Sequence, residues 1–138
     1  MATRSTISVV LPNGTVQSVY CHWDGYLDGV GKTLKEYYNT IERAMLITEG
    51  GPISSLSPKY AYDEANPHQS NKLHSYDKPA DDVTVVYVRD RGEKLVKTAT
   101  FSSLEQYCSN DGDKQEYNYM FKDGEWFIIS DDCSLKAY

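Results

Sequence analysis

From Thr6 to Leu11 apolar positions alternate, with Ile7, Val9 and Leu11 on one face, and this period of two predicts a β-strand. Pro12-Asn13-Gly14 follows as a turn, since Asn-Gly accepts the positive φ angles that a tight hairpin demands. A second strand is predicted from Thr15 to about Trp23, with Val19, Cys21 and Trp23 on one side and Tyr20 and His22 on the other. Asp24-Gly25-Tyr26 breaks it, and the period lengthens: Val30, Leu34, Tyr37 and Tyr38 share one helical stripe. Asn39 is expected to cap a second helix, with Glu42 three residues later as in a capping box. Ile41, Ala44, Met45 and Thr48 line that helix, and Gly50-Gly51-Pro52 stops it.

From Ile53 to Asp82 the periodicity dissolves among Pro58, Pro67, Pro79 and many Ser, Asn, His and Asp residues. So long a loop is either functional or poorly ordered, and Tyr60, Tyr62 and Tyr76 within it point to packing against the body. Val83 to Val88, rich in β-branched residues, predicts a strand; Asp90-Arg91-Gly92 turns it toward a partner from Lys94 to Thr100. Ser102 and Glu105 read as a capping box before a short helix ending near Asn110-Asp111-Gly112. A last hairpin places Tyr117, Tyr119 and Phe121 on one strand and Trp126 to Ile129 on the next, joined by Asp123-Gly124. The order ββ-αα-loop-ββ-α-ββ predicts an α+β fold: a mostly antiparallel sheet from three hairpins, with helices packed on one face. The 138 residues suit one domain, residues 1–138, with no internal repeat beyond the hairpins.

Composition adds three constraints. Twelve tyrosines raise the aromatic content, and a rigid ring with a polar tip suits sheet faces and binding surfaces alike. A net charge of −6 argues against direct nucleic-acid binding, which needs Lys and Arg to neutralise phosphates. The acids come in pairs such as Asp81-Asp82 and Asp131-Asp132, too sparse a pattern for a DNA mimic. Cys21, Cys108 and Cys133 form no CxxC pair and are expected as free thiols in a reducing cytosol. No apolar run approaches the ~20 residues of a membrane helix, and the start lacks a signal-peptide core, so a cytoplasmic protein is expected.

The densest polar and aromatic cluster is Tyr20-Cys21-His22-Trp23-Asp24-Gly25-Tyr26. Cys21 and His22 point to opposite faces of a strand and cannot form a nucleophile–base pair, whereas His22 and Asp24 share a face. The plainer reading puts Cys21 and Trp23 in the core, with His22 hydrogen-bonded near the strand end. Gly29-Val30-Gly31-Lys32-Thr33 imitates a phosphate loop, but Tyr26 stands where its first glycine belongs and hairpins supply no parallel crossover sheet. A helix N-terminus beside Lys32 remains an anion-site candidate. Arg89-Asp90-Arg91-Gly92-Glu93 concentrates charge in a turn whose arginines could grip a phosphate or carboxylate. His68 and His74 lie in the loop without a second close-spaced ligand pair, so no metal and no cofactor is expected. Asn13-Gly14-Thr15 matches a glycosylation acceptor, incidental in a cytosolic protein.

Four stretches, Thr3-Arg4-Ser5-Thr6-Ile7, Tyr20 to Tyr26 with Gly31-Lys32, Arg89 to Glu93 and Tyr117 to Trp126, together resemble a group of small uncharacterised proteins encoded by bacteriophages and related mobile elements. The similarity spans nearly the whole chain and departs mainly between about Pro58 and Asp82. The resemblance implies a phage gene product working in the host bacterial cytoplasm, and it carries over no catalytic role. The expected function is therefore a non-enzymatic accessory binding protein that recognises a host protein, a defence component among the candidates, or a small anionic or nucleotide ligand. Its expected surface combines His22, Trp23, Asp24, Tyr26 and Lys32 with Arg89, Asp90 and Arg91, joined by tyrosines of the long loop. Two alternatives stand beside it: a small hydrolase or transferase using His22 and Asp24 with Arg89 or Arg91, and a virion structural or assembly component. The oligomeric state is left open. The first two readings require the strand end at His22 to meet the turn at Arg89.

Overall fold

The alternating N-terminal segment forms a hairpin in the computed structural model, which describes residues 2–109 and 114–138. β1 (Ser5–Val10) and β2 (Val16–Cys21) pair antiparallel, Ile7 against Val19 and Ser5 against Cys21. Gly14 takes a positive φ of 89° while Asn13 does not, its Oδ1 instead accepting the Thr15 N–H at 3.0 Å. The connection is therefore a longer loop with one left-handed glycine, not a two-residue Asn-Gly turn.

A π-helical turn, Leu27–Gly31, leads into α1 (Lys32–Tyr37) and then α2 (Ile41–Gly50). Val30, Leu34 and Tyr38 are buried as the stripe predicts, but Tyr37 is 46% exposed. The helix ends at Tyr37, and the Trp126 indole N–H holds the next carbonyl, that of Tyr38, at 2.9 Å. Thr40, rather than Asn39, caps α2: its hydroxyl accepts the Arg43 N–H at 3.2 Å.

The middle of the chain departs most from expectation. β3 (Ile53–Ser55) lies inside the segment expected to lack structure and continues β2's edge in parallel, Cys21 against Ile53. β4 (Val85–Val86) pairs antiparallel with β3, and only these two residues of the predicted Val83–Val88 strand belong to it. From Tyr87 the chain is helical, α3 (Tyr87–Arg91), because the Asp90 carboxylate reaches back to the Val86 N–H at 2.8 Å and closes a helical turn over β-branched residues. The predicted middle hairpin is thus absent. β5 (Ala99–Phe101) pairs instead with the first half of β2, Val16 against Phe101.

α4 (Leu104–Ser109) starts one residue later than the Ser102 reading: the Ser103 hydroxyl accepts the Gln106 N–H, and the Gln106 side chain accepts the Ser102 N–H. Its expected end near Asn110-Asp111-Gly112 lies outside the described residues. β6 (Tyr117–Lys122) and β7 (Glu125–Ile129) form the last hairpin across Asp123-Gly124, both at positive φ as a type I′ turn requires. A further strand, β8 (Leu135–Ala137), follows on β7.

The strand order is β4-β3-β2-β1-β6-β7-β8, with β5 beside β2. The fold is α+β, and the sheet is mixed: β1 runs parallel to β6 and β2 parallel to β3. Side-chain alternation gives the sheet two faces with a core on each. Ile7, Val9, Val19, Cys21, Ile53, Tyr119 and Phe121 meet Leu34, Tyr38, Ala44 and Ile47 of the first two helices. Val16, Phe101, Met120 and Ile129 meet Tyr107 of α4 on the other side, so the helices do not all share one face. Cys108 and Cys133 form a disulfide beside this second core, with Cα atoms 5.7 Å apart, and correct the expectation of three free thiols; Cys21 alone is free, and it is buried. Among the described residues no helix is long and apolar enough to cross a membrane.

Candidate functional site

β2 stops at Cys21, but its edge pairing continues: the His22 N–H donates to the Ile53 carbonyl at 3.1 Å and the Trp23 N–H to the Ser54 carbonyl at 3.0 Å. Asp24 then turns the chain at φ 58°, and this lifts Trp23 out of the core position expected for it, to 43% exposure. Cys21 points into the helix-covered core, where burial pushes its thiol up to about 12. A thiol so high is inert as a nucleophile.

His22 takes its partner from the same face of the same strand, Nδ1 meeting the Tyr20 hydroxyl at 2.7 Å, and its ring sits edge-on to Trp23 at 4.7 Å. Asp24 does not pair with His22: its exposed carboxylate receives the Tyr26 hydroxyl at a long 3.4 Å. Lys32 lies at the start of α1, two-thirds exposed and 4.0 Å from Glu36. The N–H groups ahead of it are used by the π-turn itself: Gly29 and Gly31 donate to Tyr26 O, Val30 to Asp24 O, and Lys32 to Leu27 and Gly29 O. That turn offers no nest of main-chain donors to an anion.

The charged segment from Arg89 to Glu93 divides in two. Arg89 is 8% exposed, and its guanidinium grips Asp90 through Nε to Oδ1 at 2.8 Å and Nη2 to Oδ2 at 3.0 Å. It also donates to the carbonyls of Pro67 at 2.7 Å and Thr84 at 2.8 Å, and lies over the Tyr60 ring. Asp90 Oδ2 accepts from His74 Nε2 at 3.0 Å. His74 Nδ1 accepts the Ala80 N–H at 2.9 Å, which fixes the proton of the neutral ring on Nε2. With Ser70 Oγ on the Arg89 carbonyl, these bonds pin the segment between Pro67 and Thr84 to α3. Arg89 and Asp90 are thereby committed to the fold.

Arg91 faces outward. Its guanidinium carbon lies 4.9 Å from the Tyr76 ring centre and 4.4 Å from that of Tyr87, and it pairs with Glu93. The two rings are 6.0 Å apart. Burial, the largest influence, pushes the Tyr87 phenol above its usual value, while Ser54 and Arg91 beside it pull it down and Tyr20 is near enough to add to the rise. Ring contacts join Trp23, His22 and Tyr20 in one group and Tyr76 and Tyr87 with Arg91 in another, and the two groups approach each other across Tyr20 and Tyr87 to make one strip. The route from the strand end at His22 to the turn passes through β3 and β4 and reaches Arg91, whereas Arg89 turns inward. Tyr20 belonged to the sequence cluster but was not among the expected site residues. Tyr60 and Tyr76 were among the loop tyrosines expected to pack against the body, whereas Tyr87 and His74 were not among the expected surface residues.

Larger hollows lie elsewhere. A cleft of ≈ 490 Å³ opens at the splayed ends of β6 and β7, lined by Leu27, Tyr117, Ile128, Lys136 and Tyr138. Another of ≈ 450 Å³ sits between the first hairpin turn, the start of α2 and the last. Among the described residues no group of three metal-ligating side chains converges. Comparison of the chain with protein-family models, with curated proteins and with solved structures found no significant match in any of the three.

Proposed function

We propose that this chain is a non-enzymatic binding protein of the bacteriophage accessory kind, acting in the bacterial cytoplasm, which docks a host protein on the strip from Trp23 to Arg91. One observation carries the reading: rings from three separated segments gather on one surface, and an arginine rests against two of them at their end. Trp, Tyr and Arg are the residues in which protein–protein binding energy concentrates: the two aromatics offer a large rigid area at low entropic cost, and Arg adds a planar charged fork that stacks on rings and bonds carboxylates. Trp23 at 43% and Tyr76 at 37% exposure leave that area open to a partner. The enzyme alternative draws less support, since His22 bonds Tyr20 rather than Asp24 and Arg89 is spent inside the fold.

The test is affinity capture from bacterial host lysate with the wild-type chain and with Trp23→Ala and Tyr76→Ala, each variant first shown by circular dichroism to be folded. A host protein retained by the wild type and weakened by about 2 kcal/mol or more in both variants supports the reading. A partner held equally by both variants, or recovery of the chain inside purified virions, overturns it.

A further inference from the structure

β2 shares its outer edge between two strands. β5 occupies it as far as Ser18, and β3 takes it up from Cys21. At the two residues between, Val19 and Tyr20, a cleft of ≈ 120 Å³ opens, several times the room one water needs. Its polar lining is Thr6, Ser18, Tyr20, Lys97 and Gln115, and among the described residues no carboxylate lines it.

The hydrogen bonds around it assign the donors. Ser8 is fully buried, so its hydroxyl proton must go to the Ser18 oxygen at 2.8 Å; the Ser18 proton is then left to turn into the cleft. Thr6 spends its proton on Asn118 Oδ1 at 2.7 Å. Asn118 in turn clamps the Gln115 backbone at both N–H and C=O, which holds that residue at the rim, its side-chain amide without a hydrogen-bond partner among the described residues. Tyr20 directs its hydroxyl to His22. Lys97 has no carboxylate partner among the described residues, and it lies on the segment just before β5. Residues that carry a buried hydroxyl donor, an amide and an ammonium thus line one cleft, with no carboxylate among its described lining residues.

We infer that this cleft is a subsite for one small oxyanion, a phosphate group either free or terminal on a larger molecule, held by Lys97, Ser18 and Gln115. The chain's net charge of −6 exerts no long-range pull on an anion, so the affinity comes from these contacts. Charge-assisted bonds are the strong ones, and Lys97 carries the only full charge among the described residues lining the cleft. The inference is independent of the docking strip, although Tyr20 borders both.

The experiment titrates purified protein with inorganic phosphate and, separately, with a nucleoside 5′-monophosphate. Ionic strength is held constant with chloride, and the melting temperature and the amide resonances of residues 18–20 are read. A saturable rise for phosphate, with affinity falling about tenfold in Lys97→Ala, is the expected result. Tighter binding of the monophosphate assigns a phosphoester ligand; equal binding assigns the free ion. No saturable response to either probe overturns the inference, as does a response unchanged in both Lys97→Ala and Lys97→Glu. Lys97 is exposed, so its variants should keep the wild-type circular dichroism spectrum, and that measurement separates a lost site from a folding failure.

Discussion

Replacing Asp90 with Asn probes the bond that most of the loop hangs on. The Asp90 and Arg89 side chains are 1% and 4% exposed, so solvent screening offers little relief. Oδ2 accepts from Val86 N–H, Arg89 Nη2 and His74 Nε2, and Oδ1 from Arg89 Nε. Whichever oxygen becomes an amide NH₂ in Asn, it faces at least one guanidinium N–H, and the charge that balances Arg89 is gone. Breaking one side of a buried pair costs about 3–5 kcal/mol. Arg89 keeps the Pro67 and Thr84 carbonyls and the Tyr60 ring, which places Asp90→Asn near the lower end, about 3 kcal/mol. A domain of this size holds roughly 5–15 kcal/mol in all, so the variant folds but melts about 10 °C lower. Urea unfolding measures the loss, and limited proteolysis should show cleavage between Pro58 and Asp82 rising well before global unfolding. Arg91→Gln, changed at a side chain 44% exposed, serves as the control and should shift stability by less than about 0.5 kcal/mol. A loss below about 1 kcal/mol in Asp90→Asn, with the loop still protected, would refute the staple.

Three other outcomes follow from the same geometry. A Cβ on Gly50 would lie 1.8 Å from the Tyr60 hydroxyl, which is buried without a hydrogen-bond partner, so Gly50→Ala should cost about 1–3 kcal/mol, and Tyr60→Phe, near neutral alone, should restore much of it; additive losses in a double-mutant cycle would sink this pairing. Burial raises the Tyr38 phenol from 10.0 to about 12 and pushes Tyr60, Tyr119 and Tyr138 up as well. The native state therefore holds phenolic protons that the unfolded chain releases first, and stability, complete below pH 10, should fall as pH rises toward 12; phenolate absorbance appearing near pH 10 for all tyrosines while the circular dichroism stays native would contradict it. Alkylation of the native protein should label no cysteine, denaturation without reductant should expose Cys21 alone, and reduction should release all three while removing about 3.5 kcal/mol of loop-closure stability across the 25-residue separation; a labelled Cys108 or Cys133 before reduction would break that sequence.

The sequence by itself determined what depends on neighbours along the chain. The hairpin from Ser5 to Cys21, the end of α2 at Gly50 and the Asp123-Gly124 turn follow from alternation, helical spacing and residues able to adopt positive φ. The cluster from Tyr20 to Tyr26 was also legible as the densest set of polar rings. What only the tertiary structure decided is which polar groups were spent inside. Arg89 and Arg91 stand two residues apart with the same chemistry, yet one is buried against Asp90, Tyr60 and two carbonyls while the other rests on surface tyrosines. No local pattern separates them, because a guanidinium is buried only when acceptors from distant segments, here Pro67 and Thr84, arrive to compensate its lost hydration. The same holds for Val83 to Val88, where a carboxylate four residues on outweighed β-propensity, and for Cys108 and Cys133, which meet only because α4 and the β7–β8 turn flank one face of the sheet. Long-range pairing of buried charge and of strand edges lies beyond what a period in one chain can encode, and those two effects position the strip and the cleft.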